Sequence, residues 1–118
     1  MSAQTLNQLS GVATAPAYER SALRRSIVHI GVGGFHRAHL ATYIDELAAA
    51  GSTAWAITGA GVMPSDAAMA EALSSQDYLY TLVSRSPDIT EVWIIGSIVG
   101  FVLAYDDPTG FLQLVASP

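Results

Sequence analysis

Ile27-Val28-His29-Ile30-Gly31-Val32-Gly33-Gly34-Phe35-His36 is the stretch whose reading settles the fold. Ile27 to Ile30 is a short apolar run ended by glycine, the pattern of a buried parallel strand. From Phe35 the period changes: Leu40, Tyr43, Ile44 and Leu47 recur on one helical face, and Gly51 supplies a C-terminal stop. Between strand and helix lies a glycine-rich turn. Gly31 allows the sharp bend, and Gly33, lacking a Cβ, lets the backbone approach a pyrophosphate. The helix start then offers free N–H groups and the positive end of its dipole. Gly31, Val32, Gly33, Gly34 and Phe35 are therefore expected to hold a dinucleotide. The competing reading is a turn that only joins two elements.

The residues just after the turn sharpen this expectation. His36 occupies the place of the usual third glycine, so it should push the helix outward or aim its ring at the ligand, with Ala38 taking part of the close packing. Arg37 is placed to meet a phosphate or a substrate oxygen, unless it is an ordinary surface arginine. His36 and His39 share a helical spacing, but no third ligand is near; backbone and solvent are expected to satisfy them instead of a metal. His29 reads as a hydrogen-bonded residue in or near the core.

Working outward, Ala54 to Thr58 reads as a second strand closed by Gly59-Ala60-Gly61. Pro64-Ser65-Asp66 opens a short helix with Ser65 as N-cap and Met69 and Leu73 inward. Tyr78 to Ser84 and Val92 to Ile98 read as strands separated by a turn at Ser86-Pro87-Asp88. Asp106-Asp107-Pro108 starts a last helix with Phe111, Leu112 and Val115 on its apolar face. Trp55 and Trp93 are expected in the core. The order β-α-β-α-β-β-α predicts an α/β fold with an open, mainly parallel, Rossmann-like sheet. It has too few strands for a whole doubly wound domain. Residues 16–118 are thus expected to be the N-terminal part of a dinucleotide-binding domain, behind a flexible leader at 1–15. An incomplete sheet leaves an unpaired edge, and self-association is expected through it.

Composition narrows the partners. The 118 residues carry ten acidic side chains against five basic ones, a formal charge of −5. All five basic residues are arginines. That balance argues against the basic stripe of a nucleic-acid binder and against electrostatic attachment to an anionic membrane. With no Cys and no Lys, disulfides, thiolate chemistry, Cys-ligated zinc and Schiff bases are excluded as well. The most apolar stretch, Val92 to Tyr105, would span about 21 Å as a helix, short of a ~30 Å hydrocarbon core. The polar N-terminus has no signal-peptide pattern, and a cytoplasmic location is expected. No catalytic set and no metal set is visible. Cofactor choice in such folds rests on an acid after the second strand. Gly59-Ala60-Gly61 provides none, and Asp66 is the next acid. A carboxylate there accepts from ribose hydroxyls and repels a 2′-phosphate, which predicts NAD over NADP. It can charge the first turn of its helix at the same time.

Ile27 through His39 closely resembles the N-terminal signature of the mannitol dehydrogenase family. Pro16-Ala17-Tyr18-Glu19-Arg20 resembles the family's Pro-x-Tyr-Asp-Arg lead-in, with Glu19 for Asp. Gln76 to Val83 and Ile95-Gly96-Ser97-Ile98 are similar to further family stretches, and the likeness runs from Pro16 to Pro118. It implies an NAD(P)-dependent, metal-free interconversion of sugar alcohol and ketose, with a lysine as acid/base in a helical C-terminal domain. This chain has no lysine. The resemblance therefore carries over only to cofactor binding: Gly31, Gly33, Gly34 and Phe35 at the turn, and Asp66 for NAD preference. Ser65 stands where a second acid is expected, and Arg24-Arg25-Ser26 where the family has a Pro-Gly approach. The implied function is the NAD(H)-binding portion of a polyol dehydrogenase, inactive by itself and meeting polyol or ketose only with a C-terminal domain. The alternatives are a non-catalytic nucleotide-binding or interaction module, or a Rossmann protein for another cofactor.

Overall fold

The computed structural model describes residues 1–9 and 13–117. In chain order the elements are β1 (Arg25–Ile30), α1 (Gly34–Ala38), α2 (Leu40–Ala49), β2 (Ala56–Gly61), α3 (Asp66–Ser74), β3 (Tyr80–Arg85), β4 (Thr90–Ile95), β5 (Ile98–Leu103) and α4 (Pro108–Ala116). β1, β2 and β5 form a parallel sheet in the order β1-β2-β5. β3 and β4 form a separate antiparallel hairpin, paired from Tyr80–Ile95 to Arg85–Thr90. β2 is central and buried along its whole length, as a near-continuous apolar parallel strand should be. One core joins the layers: Val32, Ala41, Ile44, Ile57, Leu73, Tyr80, Ile95 and Ile98 pack as a single cluster.

Four differences from the sequence reading have physical causes. β2 does not stop at Thr58 but runs through Gly59-Ala60-Gly61. A Cβ on Gly59 would lie 2.5 Å from Val32 Cγ2, and one on Gly61 would lie 2.5 Å from Asp66 Cβ. Those glycines are strand residues that make room for neighbours. The run expected as one strand, Val92 to Ile98, splits at Gly96-Ser97 into β4 and β5 in different sheets. The Asp45 carboxylate accepts from the Gly96 N–H at 2.8 Å, and the buried Ser97 hydroxyl donates to the Ala41 carbonyl at 2.6 Å. The helix expected from Phe35 onward breaks at His39 (φ −118°, ψ −82°) into α1 and α2. Trp55 and Trp93 are not core residues, at 48% and 41% exposed, and Leu112 and Val115 of α4 also face outward.

The segment expected as a flexible leader is tied down where it is described; its residues 10–12, like Pro118, lie outside the described residues. Ala3–Leu9 forms a 3₁₀ helix, and the Ala3 N–H donates to Asp77 Oδ2 at 2.8 Å. Thr14 pairs with the outer edge of β4: its N–H donates to the Val92 carbonyl at 2.8 Å, and the Ile94 N–H donates back at 2.7 Å. A free strand edge offers such donors and acceptors to any nearby chain. Further on, the Tyr18 hydroxyl donates to the Asp45 carboxylate. The Arg20 guanidinium donates to the carbonyls of Asp77 (2.9 Å), Ile98 (3.0 Å) and Gly96 (3.1 Å). Burial is the largest influence on all three of these side chains, pushing the Tyr18 hydroxyl and Asp45 carboxyl up and the Arg20 guanidinium down. No described helix is long and apolar enough to cross a membrane.

Gly59→Ala should expose the tightness of this arrangement. Its methyl meets Val32 and the Phe101 ring, so the expected cost is about 1–3 kcal/mol of unfolding free energy, in the range of core overpacking. Urea denaturation measures it; an unchanged midpoint would contradict the packing described.

Candidate functional site

The site lies at the C-terminal ends of β1 and β2. After Ile30 the chain bends at Gly31, whose φ of +86° is a left-handed conformation that favours glycine. The Gly31 N–H donates to the Ala60 carbonyl at 2.8 Å, fastening the turn to β2. Val32 then drops into the core at 5% exposed. Gly33 caps α1 with extended backbone, and its carbonyl accepts the first helical bond from the Arg37 N–H at 3.1 Å. The N–H groups of Gly34, Phe35 and His36 precede that bond and have no helical acceptor.

The glycines fall into two kinds. Gly59 and Gly61 are small because protein atoms fill the space beside them. At Gly33 and Gly34 a Cβ would meet no protein atom within 4 Å, and neither has a positive φ. Gly33 stands at the N-cap, where glycine is accepted; Gly34 is the first helical residue, where glycine costs up to about 1 kcal/mol against alanine. Open space, unpaired N–H donors and absent side chains together make a cradle that fits a phosphate group.

Asp66 reaches the same end of the sheet. It is distant from Gly31 in sequence, but it opens α3 and packs on Gly61, the last residue of β2. Oδ2 accepts from the Met63 N–H at 3.0 Å, which closes the β2–α3 loop. The side chain is half-buried. Ser65 precedes it as the N-cap residue without a side-chain capping bond. Val62 and Met63, at 47% and 59% exposed, flank Asp66 with apolar surface at the strand end.

α1 presents its side chains in opposite directions. Phe35 is 79% exposed and stacks on the His39 ring at 4.1 Å. The His39 Nδ1–H donates to the Phe35 carbonyl at 2.9 Å. His36 turns inward, so the expectation that backbone and solvent satisfy it fails. It is 5% exposed, stacked on His29 at 3.7 Å, with no partner for either ring nitrogen. Instead of pushing the helix away, the ring fills the gap against β1 that a third glycine would close. His29 Nδ1–H donates to the Gly31 carbonyl at 2.9 Å, so the lower ring of the stack also steadies the turn. His36 and His39 therefore do not converge. Arg37 Nε donates to the Gly33 carbonyl at 3.3 Å, and its guanidinium lies 6.0 Å from the Tyr80 ring centre. Gly31, Val32, Gly33, Gly34, Phe35 and Asp66 thus gather at two adjacent strand ends, while Arg37 folds back along α1 toward the hairpin. Val62 and Met63 join this neighbourhood without any local motif to announce them, and Tyr80 joins it from the Gln76 to Val83 stretch, whose spacing named no role for it.

A parallel β1-α-β2 unit with a glycine turn open to phosphate and an acid beside the next strand is a dinucleotide-binding domain of the Rossmann type. The profile of the mannitol dehydrogenase Rossmann domain matches residues 25–118. The chain belongs to the mannitol dehydrogenase family. It is 48% identical over 111 residues to a mannitol 2-dehydrogenase of Aspergillus niger, covering 92% of this chain and 23% of the relative. It is 44% identical over 104 residues to that of Pyricularia oryzae, covering 87% and 21%. Among solved structures, a mannitol 2-dehydrogenase of Pseudomonas fluorescens in ternary complex with NAD and D-mannitol superposes with a TM-score of 0.94 at 42% identity. The match covers all of this chain and 24% of that one. A D-sorbitol dehydrogenase, substrate-free, gives 0.90 at 32% identity, with 25% of its chain covered. The chain spans about a quarter of the length of these relatives.

The buried His36 sets a pH dependence. Burial first, then the nearby charges of His29 and Arg37, hold it down at about 4. The unfolded chain, with His near 6.5, binds more protons between those values, so stability falls as pH drops through that window. Melting temperatures should decline from pH 7 to pH 4 more steeply for the unsubstituted protein than for His36→Phe; equal slopes would contradict the assignment.

Proposed function

We propose that this chain binds the ADP portion of NAD(H) in its glycine turn, as the cofactor-holding part of a polyol dehydrogenase. The observation that carries the reading is the open space at Gly33 and Gly34. These positions lack side chains where the fold itself would accept them, which points to an occupant from outside. The pyrophosphate would lie against Gly31, Val32, Gly33, Gly34 and Phe35 and accept from the free N–H groups. Asp66 would accept from the adenosine ribose hydroxyls and oppose a 2′-phosphate by like-charge repulsion. Val62 and Met63 would give the adenine an apolar flank. Arg37 has one nitrogen committed to Gly33 and its guanidinium near the Tyr80 ring, so its first role is to stiffen the turn.

When bound, the nicotinamide supplies the hydride chemistry; this chain's part is to hold and orient the dinucleotide. Interconversion of a sugar alcohol and a ketose, or reduction of a hexuronate, is proposed for a protein of the relatives' full length, with the acid/base group and the substrate pocket proposed for the remaining three-quarters. The Pseudomonas fluorescens relative, solved with both NAD and D-mannitol bound, supports both parts. Residues 16–118 are proposed as the partial domain, in the cytoplasm.

NADH titration followed by fluorescence, with NADPH in parallel, tests the reading. Saturable binding that favours NADH is expected. Gly33→Val should weaken it by about tenfold or more while costing no more than about 1 kcal/mol of stability. Asp66→Ala should cut the preference for NADH by about tenfold. A folded chain that binds neither nucleotide would refute the proposal.

β1 and β5 each lack a partner on their outer side among the described residues, and Leu112 and Val115 add exposed apolar surface. We propose that the isolated chain self-associates through these features. Sedimentation velocity should show an average mass that rises with concentration; a single monomeric species throughout would contradict it.

A further inference from the structure

We propose that Tyr80 is a positioning residue for the dinucleotide turn, acting through the Arg37 carbonyl; this rests on the cofactor reading above. α1 is five residues long and ends where the backbone breaks at His39. A helix this short has no orientation of its own and must be held by its surroundings. The carbonyl of Arg37 sits just before the break. The Tyr80 hydroxyl donates to it at 2.6 Å and the Thr42 hydroxyl at 3.2 Å. These two donors meet a carbonyl that the break removes from regular helical bonding.

Tyr80 can act as such an anchor because it is itself fixed. It is 6% exposed, belongs to the core cluster and pairs with Ile95 across the hairpin. Burial pushes its hydroxyl well above the usual tyrosine range, so it remains a donor at any working pH. Just before it, Asp77 and Tyr78 hold successive left-handed conformations, φ +54° and +61°. Such backbone persists only when its surroundings over-determine it. The Arg20 guanidinium on the Asp77 carbonyl, Asp77 Oδ2 on the Ala3 N–H, and the Tyr78 N–H on the Leu73 carbonyl at 2.7 Å do so. The path from the hairpin to the cradle is short. Tyr80 holds the carbonyl of Arg37, and Arg37 holds the carbonyl of Gly33 with both its main-chain N–H and its Nε. The face of the hairpin thus aims the N–H groups that meet the pyrophosphate.

Tyr80→Phe keeps the ring and removes the donor. NADH and ADP-ribose should bind about three- to tenfold more weakly, the range expected for one lost hydrogen bond. Adenosine, which has no phosphate, should bind with unchanged affinity in competition or NMR titration. Loss of adenosine binding in equal measure would indicate general damage and overturn the proposal. Thr42→Val, which removes the second donor to the same carbonyl, should show a smaller selective loss; no selectivity there overturns it too. Hydrogen exchange without ligand reads the positioning directly. In Tyr80→Phe the amides of Arg37, Ala38 and His39 should exchange faster, while those of β2 stay as they were. If the unsubstituted chain binds NADH and Tyr80→Phe binds it equally well, the Tyr80 proposal alone fails. If the unsubstituted chain does not bind NADH, the cofactor reading fails and the Tyr80 assignment falls with it.

Discussion

The contact between Val32 and Gly59 is the constraint from which the rest follows. Val32 is the only side chain between Ile30 and Phe35 that the protein buries. It is accepted because β2 has no Cβ at Gly59. With Val32 seated there, Gly31 must bend backward and Gly33 and Gly34 are carried to the exposed side of the turn. The same strand ends at Gly61, where a second missing Cβ admits Asp66. Two glycines of the central strand thus locate both halves of the site. Buried transfer energy of the order of 2 kcal/mol for a valine is enough to fix the turn, because its other residues have little else to hold them.

The neighbouring layers add precision instead of bulk. His36, stacked on His29, spaces α1 from β1 with a flat ring where related turns use the absence of a side chain. The arrangement leaves two buried ring nitrogens without partners, a cost of the kind that folds tolerate beside functional surfaces. On the other side, Asp45 collects the Tyr18 hydroxyl and the Gly96 N–H. That single carboxylate ties the chain start, α2 and the crossover between the two sheets. Ser97 repeats the tie one residue later.

How much of this is legible before folding depends on the range of the causes. The strand, the glycine turn and the following helix can be read from Ile27 to Leu47 because their causes are local: a change of period and a cluster of glycines. The β-α-β order and the parallel sheet follow in the same way. The split of Val92 to Ile98 is not legible. The run is apolar throughout, and its break comes from Asp45 and Ala41, far away in sequence. Nor does the sequence tell Gly33 from Gly59, since only the surrounding atoms reveal which glycine makes room for protein and which leaves space open. Trp55 and Trp93 mislead because size and apolarity favour burial, yet Trp55 lies just before β2 and Trp93 in β4, both exposed. Asp66 is recognisable as an acid after the second strand, but its closeness to that strand depends on the missing Cβ of Gly61.

The fastening of the N-terminal segment also orders events in time. Arg20 bonds the carbonyl of Ile98, 78 residues later, and Thr14 pairs beside Val92. Contacts so distant along the chain carry a loop-closure cost that must be met before they contribute. On a ribosome Thr14 and Arg20 emerge well before β4 and β5, and these two contacts must wait until those strands have followed them out. The segment ahead of β1 is thus fully fastened only after the last strand is made. Until then the glycine turn can form against β2, but the hairpin that aims it has not yet been locked.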